Sequence, residues 1–222
     1  MSHAAKQRIY EQFSRIGKAL ASPSRLELLD LLAQAERSVD ALAREAQLSV
    51  ANASQHLQAL YAARLVDSRR DGQRVVYRLA SPAVETLLHS LRVTAETQLA
   101  ELDAVARQYL EGRDELEPID RAELLRRLKS GTVALIDVRP REEYEQAHLP
   151  GAISVPLAEL KEWARTAPRK KQVVAYCRGP YCVYALEAVA ELRRRGITAT
   201  RSEDGVIEWR AAGLRLESGE AS

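Results

Sequence analysis

The sequence predicts two domains of different class: a first, mainly α domain carrying a β-hairpin, and a second α/β domain with a mainly parallel sheet. Three observations point there. The chain has 222 residues, and domains cluster near ~100–150 residues. In the first half, apolar residues recur at helical spacing around a single hairpin signal. In the second half, short β-branched runs alternate with helical runs. The stretch from Gly112 to Pro118 is charged and ends in proline, so the domains are expected at 1–112 and 119–222, with a linker at 113–118.

The bulk composition is ordinary for globular protein, with 46% hydrophobic and 29% charged residues and a formal net charge of +2. No apolar run approaches the ~18 residues of a membrane span, and the N-terminus lacks the apolar core of a signal peptide. A cytoplasmic protein without membrane partners is expected. There a structural disulfide is rare, so the two cysteines, Cys177 and Cys182, point to a reactive thiol or a reversible pair.

In the first domain Ile9, Phe13, Ile16 and Leu20 mark a helix that ends at Ala21-Ser22-Pro23-Ser24. Ser22 is placed to cap the next helix, with Pro23 at its first position, and Leu26, Leu29 and Leu32 continue one face. A short helix from Asp40 to Ala46 follows, then a tight connection, Gln47-Leu48-Ser49, with Ser49 as the next cap. In the helix after it Val50, Ala53, Leu57 and Leu60 are expected inward, and Asn52, Gln55 and Ala59 outward, flanked by Ala51, His56 and Gln58. A second helix after a turn, apolar beneath and amide-lined above, has the helix-turn-helix layout. Asn and Gln on such a face can pair with adenine edges in the major groove. A helical bundle with a solvated polar face is the alternative for this segment taken alone.

The next stretch favours the nucleic-acid reading. Leu65–Arg70 and Gln73–Leu79 are strand-like around Asp71-Gly72, a hairpin signal. From Arg64 to Arg78 there are five arginines against Asp67 and Asp71. A basic hairpin beside a recognition helix is a wing suited to phosphates. The candidate DNA contacts are Ser49, Ala51, Asn52, Gln55 and His56 on the helix, and Arg69, Arg70, Gln73 and Arg74 on the wing.

Ala19–Leu26, Leu48–Leu57 and the wing together resemble the ArsR family of winged-helix repressors across nearly the whole N-terminal half. The resemblance implies a homodimer that binds double-stranded operator DNA of inverted-repeat form and releases it when an inducer arrives. Many members sense metals through thiols in a segment ending E-x-C-V-C-D, where this chain reads Glu36-Arg37-Ser38-Val39-Asp40. Soft-metal sensing by that route is excluded. His89 and Glu96, seven apart on the last helix of the domain, are read as surface residues, and no metal site is expected. That helix, from about Ala83 to Glu111, carries Val84, Leu88, Leu91, Ala95, Leu102, Val105 and Tyr109 at 4-3 spacing, with Gln98 at one seam position. Such a seam fits a helix-to-helix dimer contact or packing on its own domain.

In the second domain Asp120 and Glu123 form a capping-box-like start for a helix holding Leu124, Leu125 and Leu128. Strand-like runs follow at Val133–Val138, Ile153–Val155, Val173–Tyr176 and Ile197–Thr200. Sites in parallel sheets lie beyond the carboxyl ends of strands, and Cys177-Arg178-Gly179-Pro180-Tyr181-Cys182 occupies such a place, ahead of a helix from Val183 to Arg195. Backbone N–H groups and the positive end of a helix dipole favour a thiolate there. Gly179 lets the loop turn tightly, and Arg178 is placed to attract anions.

Asp137-Val138-Arg139-Pro140, Glu143-Tyr144, His148–Ala152 and the tail Glu203–Leu214 resemble the rhodanese family over essentially the whole domain. The resemblance implies a cysteine, here Cys177, that takes sulfane sulfur from a donor as a persulfide and passes it to a thiol acceptor or cyanide. No cofactor is implied. In the family's motif Asp137, Arg139 and His148 look like framework rather than a catalytic triad. A related phosphatase group ends its loop in arginine, where this chain has Cys182. Tyr181 and Cys182 also depart from the cationic or hydroxyl residue common near that position, which counts against simple thiosulfate turnover. Cys182 either resolves a Cys177 persulfide, as a disulfide or sulfur-bridged link, or is an inert residue opening the helix.

The expected function is a dimeric DNA-binding regulator controlled by sulfur or redox chemistry at Cys177. A sulfurtransferase with an autoregulatory DNA-binding half is the second reading. The third is an arsenate reductase-like activity linked to an arsenic response.

Overall fold

In the computed structural model, which describes residues 3–110 and 118–219, the chain divides into two compact units, Met1–Leu91 and Arg92–Ser222. The division falls inside a helix, ahead of the expected linker at 113–118, of which only Pro118 lies among the described residues.

The first unit begins with α1 (His3–Leu20), α2 (Pro23–Gln34), β1 (Arg37–Ser38), α3 (Val39–Glu45) and α4 (Val50–Ala62). It continues with β2 (Val66–Asp71), β3 (Arg74–Leu79) and the start of α5 (Pro82–Gln98). Pro23 opens α2 and Ser22 occupies the cap, although its side chain makes no capping bond. Ser38 and Ser49 do cap, accepting from the amides of Ala41 at 3.3 Å and Asn52 at 3.2 Å.

Helices α3 and α4 both stop in the same way. Gln47 and Arg64 take left-handed backbone conformations (φ 52° and 59°). The next amides, Leu48 and Leu65, reach back to Ala43 and Leu60 carbonyls at 2.8 and 3.0 Å. This is the paired closure usually built on glycine, here carried by long polar side chains. It sends the chain sharply from α3 into α4 and from α4 into the hairpin.

Leu28, Leu29, Leu42, Leu57, Leu60, Leu65, Tyr77 and Val84 form the core of this unit. Val50, expected inward, is exposed, because it lies on the first turn of α4, ahead of the core residues Ala53, Leu57 and Leu60. Ile9 and Phe13 are also exposed, and only the later part of the α1 stripe, Ile16, Ala19 and Leu20, meets the core. Strands β2 and β3 pair antiparallel, with Asp71 opposite Arg74. The turn is therefore Gly72-Gln73, with Gly72 at φ 59°, one residue later than the Asp-Gly signal. Strand β1, which the sequence did not suggest, pairs with β3 and completes a three-stranded sheet. The long helix expected from Ala83 to Glu111 is interrupted: α5 ends at Gln98, the polar seam position, and α6 spans Ala100–Leu110.

The second unit continues with α7 (Arg121–Lys129), β4 (Val133–Asp137), α8 (Arg141–Gln146), β5 (Ile153–Ser154) and α9 (Leu160–Thr166). Then come β6 (Gln172–Tyr176), α10 (Val183–Arg194), β7 (Ala199–Arg201) and α11 (Val206–Ala211). The sheet is parallel throughout, in the order β5-β4-β6-β7. Alternate residues feed opposite cores. Ile136, Val173 and Ala175 pack with Leu160, Ala164 and the α10 residues Val189 and Leu192. Leu135, Val174 and Tyr176 pack with Leu124, Tyr144, Val206 and Trp209. Strand β7 starts later than the expected Ile197, because the Ile197 amide closes α10 on the Leu192 carbonyl at 3.0 Å.

A buried polar frame lies at the carboxyl end of the sheet. Asp137 and Arg139 are fully buried, with Arg139 Nη2 at 2.6 Å from Asp137 Oδ2 and donating to the Ala147 carbonyl at 2.8 Å. The Tyr176 hydroxyl donates to Asp137 at 2.6 Å and accepts from the Leu149 amide at 3.1 Å. Burial, then the Asp137 charge, pushes the Tyr176 phenol well above its ordinary value, so it stays a donor. Asp137→Asn leaves the Arg139 guanidinium buried without its main counter-charge, which costs about 3 kcal/mol or more. Urea unfolding followed by tryptophan emission reads this unit alone, because Trp163 and Trp209 are the chain's two tryptophans. The variant's midpoint is expected well below the wild-type value.

Candidate functional sites

The first site is the exposed face of α4 with the hairpin that follows it. The Ser49 cap sets the start of α4, so that Ala51, Asn52 and Gln55 are exposed and His56 half-buried, while Ala53, Leu57 and Leu60 lie beneath. Ser49 is exposed, but its hydroxyl is engaged by the Asn52 amide. On the wing Arg69, Arg70, Gln73 and Arg74 are all exposed. Arg69 pairs with Glu36 and lies 3.5 Å from Asp71, and these two carboxylates raise its pKa, the hydrogen bond to Glu36 most. Arg78 lies 3.5 Å from Asp67. Arg70 and Arg74 make no ion pair among the described residues, so they carry the wing's uncompensated charge.

The second site is the loop from Cys177 to Cys182. Cys177 follows β6 and is buried, and Cys182 stands at the N-cap of the 12-residue α10. The two are joined as a disulfide with Cα atoms 6.2 Å apart, inside the usual range for such a bond. The Cys182 amide donates to the Gly179 carbonyl at 3.2 Å, closing the loop on itself. Gly179 sits at φ 139°, a conformation that side-chain-bearing residues rarely adopt.

Arg178, expected to attract anions, is turned onto a carboxylate of its own domain. Its Nε donates to both oxygens of the fully buried Glu143 (3.0 and 3.1 Å), and its guanidinium lies over the Tyr184 ring. Glu143 is also 3.8 Å from Arg139. Cys177 is thus flanked by two residues tied to buried carboxylates: Tyr176 to Asp137 and Arg178 to Glu143. His148 belongs to the frame, stacked on Tyr144 at 3.7 Å with Nδ1 at 2.7 Å from the Tyr144 carbonyl.

Gly205 and Glu208 are not singled out from the sequence as neighbours of this loop, whereas Tyr181 is read as a departure from the family pattern and Glu96 as a surface residue. A Cβ at Gly205 would lie 2.4 Å from the Cys177 carbonyl oxygen and 2.9 Å from the Gly179 nitrogen, so only glycine lets this backbone approach. Glu208, nearly buried, accepts from the Gly205 amide at 2.7 Å and pairs with Arg92. Tyr181 donates to Glu96 at 2.9 Å. Gly205 and Glu208 sit in the tail motif quoted for the family, but spacing alone does not show which of its residues touches the loop. Among the described residues no cluster of three or more His, Cys, Asp or Glu is placed to hold a metal ion. No helix among them is long and apolar enough to cross a membrane.

Comparison with known proteins agrees with both halves. Residues 22–68 match the family described as bacterial regulatory protein, arsR family, and residues 120–212 match the rhodanese-like domain. The HTH-type transcriptional regulator Rv0324 of Mycobacterium tuberculosis is 46% identical over 214 residues, spanning 96% of this chain and 94% of its own. The nodulation protein NolR of Rhizobium meliloti is 45% identical over 73 residues, 33% of this chain and 60% of its own. A solved homodimeric winged helix-turn-helix DNA-binding domain from Mycobacterium bovis, a possible ArsR-family regulator, is 42% identical. It covers 46% of this chain and 93% of its own, with a TM-score of 0.43. The chain belongs to the ArsR family of bacterial transcriptional regulators, in a form that carries a C-terminal rhodanese-like domain.

Two outcomes test the geometry. Gly205→Ala forces the α11 start away from the Cys177 carbonyl, and a cost of about 1–3 kcal/mol is expected in tryptophan-detected urea unfolding; an unchanged midpoint would contradict the close approach. If Arg70 and Arg74 contact phosphates, changing each to alanine reduces the slope of log affinity against log salt by ~0.9 per arginine. Fluorescence anisotropy with operator DNA at several salt concentrations measures it, and an unaltered slope would remove the wing from the interface.

Proposed function

We propose that this regulator is a homodimeric repressor whose hold on operator DNA is set by the thiol state of Cys177 and Cys182. The observation that carries the reading is the Cys177–Cys182 bond at the carboxyl end of β6, in the same chain as an ArsR-type DNA-binding unit. Ser49, Ala51, Asn52, Gln55 and His56 would face the major groove, and Arg69, Arg70, Gln73 and Arg74 the flanking backbone. Dimerisation is supported by apolar side chains left open on α1 (Ile9, Tyr10, Phe13) and by Leu91 and Val105 of the seam.

The chemistry balances without an external oxidant beyond the sulfur donor. The Cys177 thiolate attacks the terminal sulfur of a persulfide or polysulfide, breaking its S–S bond and becoming a persulfide. The Cys182 thiolate then attacks the inner sulfur, forming the Cys177–Cys182 bond and expelling hydrosulfide with the electron pair. One sulfane sulfur is reduced to sulfide, and two thiols are oxidised to a disulfide. Two thiols of a reductant reverse the step by exchange.

The commitment of Arg178 to Glu143 favours this reading over turnover of thiosulfate or arsenate, since the loop's one arginine is already neutralised. A sulfurtransferase role remains the second reading, supported by the rhodanese-like match across the domain.

Exposing reduced protein to inorganic polysulfide is expected to lower its mass by two hydrogens and weaken operator binding at least about tenfold, a change of ~1.4 kcal/mol. Cys177→Ser should neither form the bond nor respond. An oxidised wild-type protein with unchanged operator affinity would contradict the regulatory reading and leave sulfur transfer.

A further inference from the structure

The second unit begins at Arg92, inside α5, and its first residues meet the cysteine loop at Gly179 and at Tyr181. Arg92 and Glu96 are one turn apart on one helix face, with Arg92 Nε at 3.7 Å from Glu96 Oε1. Glu96 accepts the hydrogen bond from Tyr181, the residue next to Cys182. Arg92 pairs with Glu208, whose carboxylate oxygens lie 3.3 Å from where a Gly179 Cβ would be. Arg92 Nη1 is itself 3.4 Å from that point. One helical turn thus touches the loop beside Gly179 through an arginine–carboxylate pair, and beside Cys182 through a hydroxyl.

Neither Arg92 nor Glu96 falls within the residues matched by either family, 22–68 and 120–212. Their partners Tyr181 and Glu208 lie inside the second of these stretches, so the contact joins α5 residues outside both matches to the rhodanese-like one. A polar cluster this enclosed is costly unless satisfied: the Glu208 side chain is 7% exposed and Arg92 22%. The Tyr181 hydroxyl can hold Glu96 only while the chain at Cys182 keeps its position, and the bond to Cys177 is a covalent tie on that position beside the Cys182 amide's bond to Gly179.

Building on the thiol-controlled reading above, we infer that the Arg92–Gln98 stretch of α5 reads the Cys177–Cys182 bond through the Glu96–Tyr181 hydrogen bond and the Arg92–Glu208 pair. Reduction by a dithiol breaks the S–S bond, places two electrons and two protons on the cysteines, and leaves the reductant as its own disulfide. Cys182 is then released from Cys177, Tyr181 loses its fixed place, and Glu96 loses its partner. The end of α5 opens more readily as a result. The same helix buries Val84 in the core of the first unit.

Amide hydrogen exchange on the full-length protein, as the disulfide and after dithiothreitol, tests this. Amides of Arg92–Gln98 are expected to exchange roughly tenfold faster in the reduced protein. In Tyr181→Phe and Glu96→Ala the disulfide still forms, shown by the loss of two hydrogens in intact mass. In both variants the stretch is expected to exchange at the faster rate in either state. Equal exchange in the two wild-type states, or variants that keep the full wild-type difference, would overturn the inference. Operator affinity on the same samples separates the two ideas. Exchange that follows the bond while affinity does not leaves the α5 contact standing and removes thiol control of DNA binding. Affinity that follows the bond without a change in exchange does the reverse.

Discussion

The arrangement of the cysteine loop depends on two buried carboxylates, the arginines that neutralise them and the hydroxyl that donates to one of them. Asp137 ends β4 and is held by Arg139 and the Tyr176 hydroxyl. Glu143, one helix later, is held by Arg178 and approached by Arg139. Burial works to lower the Arg139 pKa, but Asp137, Tyr176 and Glu143 outweigh it and the value rises, so the guanidinium stays charged. Buried ions of this kind are poor sources of net stability, yet removing one partner is expensive. Their effect is positional: Tyr176 and Arg178, the neighbours of Cys177, have one place each to go.

This constraint holds the loop's one arginine against Glu143. It also sets what remains for the two cysteines. With the backbone fixed on both sides of Cys177, with Gly205 packed against its carbonyl and the Cys182 amide turned onto Gly179, the loop brings the sulfurs together rather than opening a wide cationic cradle. The wing shows the opposite design, where Arg70 and Arg74 stay exposed and uncompensated.

Much of the architecture was legible from residues whose effect is local. Ser49 and Asp120 cap the helices they were expected to cap, accepting from the amides of Asn52 and Glu123. The β-branched runs became the strands of a parallel sheet. Most of what escaped depends on partners far along the chain, and one part on a local substitute for glycine. Strand β1 exists because β3 lies beside it, and no propensity of Arg37-Ser38 announces that. Closure of α3 and α4 by Gln47 and Arg64 replaces the glycine that sequence rules look for. Arg178 looked available because Glu143, 35 residues earlier, carries no mark of being its partner. Nothing in the spacing of Arg92 and Glu96 pointed to a loop more than 80 residues away.

In the proposed regulation one covalent bond, between Cys177 and Cys182, sets the protein's grip on DNA. A redox titration of the full-length protein across a series of dithiol–disulfide buffers tests it most directly. At each potential the thiol content is read by alkylation and mass, and operator binding by anisotropy. If the bond governs binding, both curves share one two-electron midpoint, rising tenfold in ratio for each ~30 mV. Thiols that titrate while DNA binding stays flat across the range would contradict it.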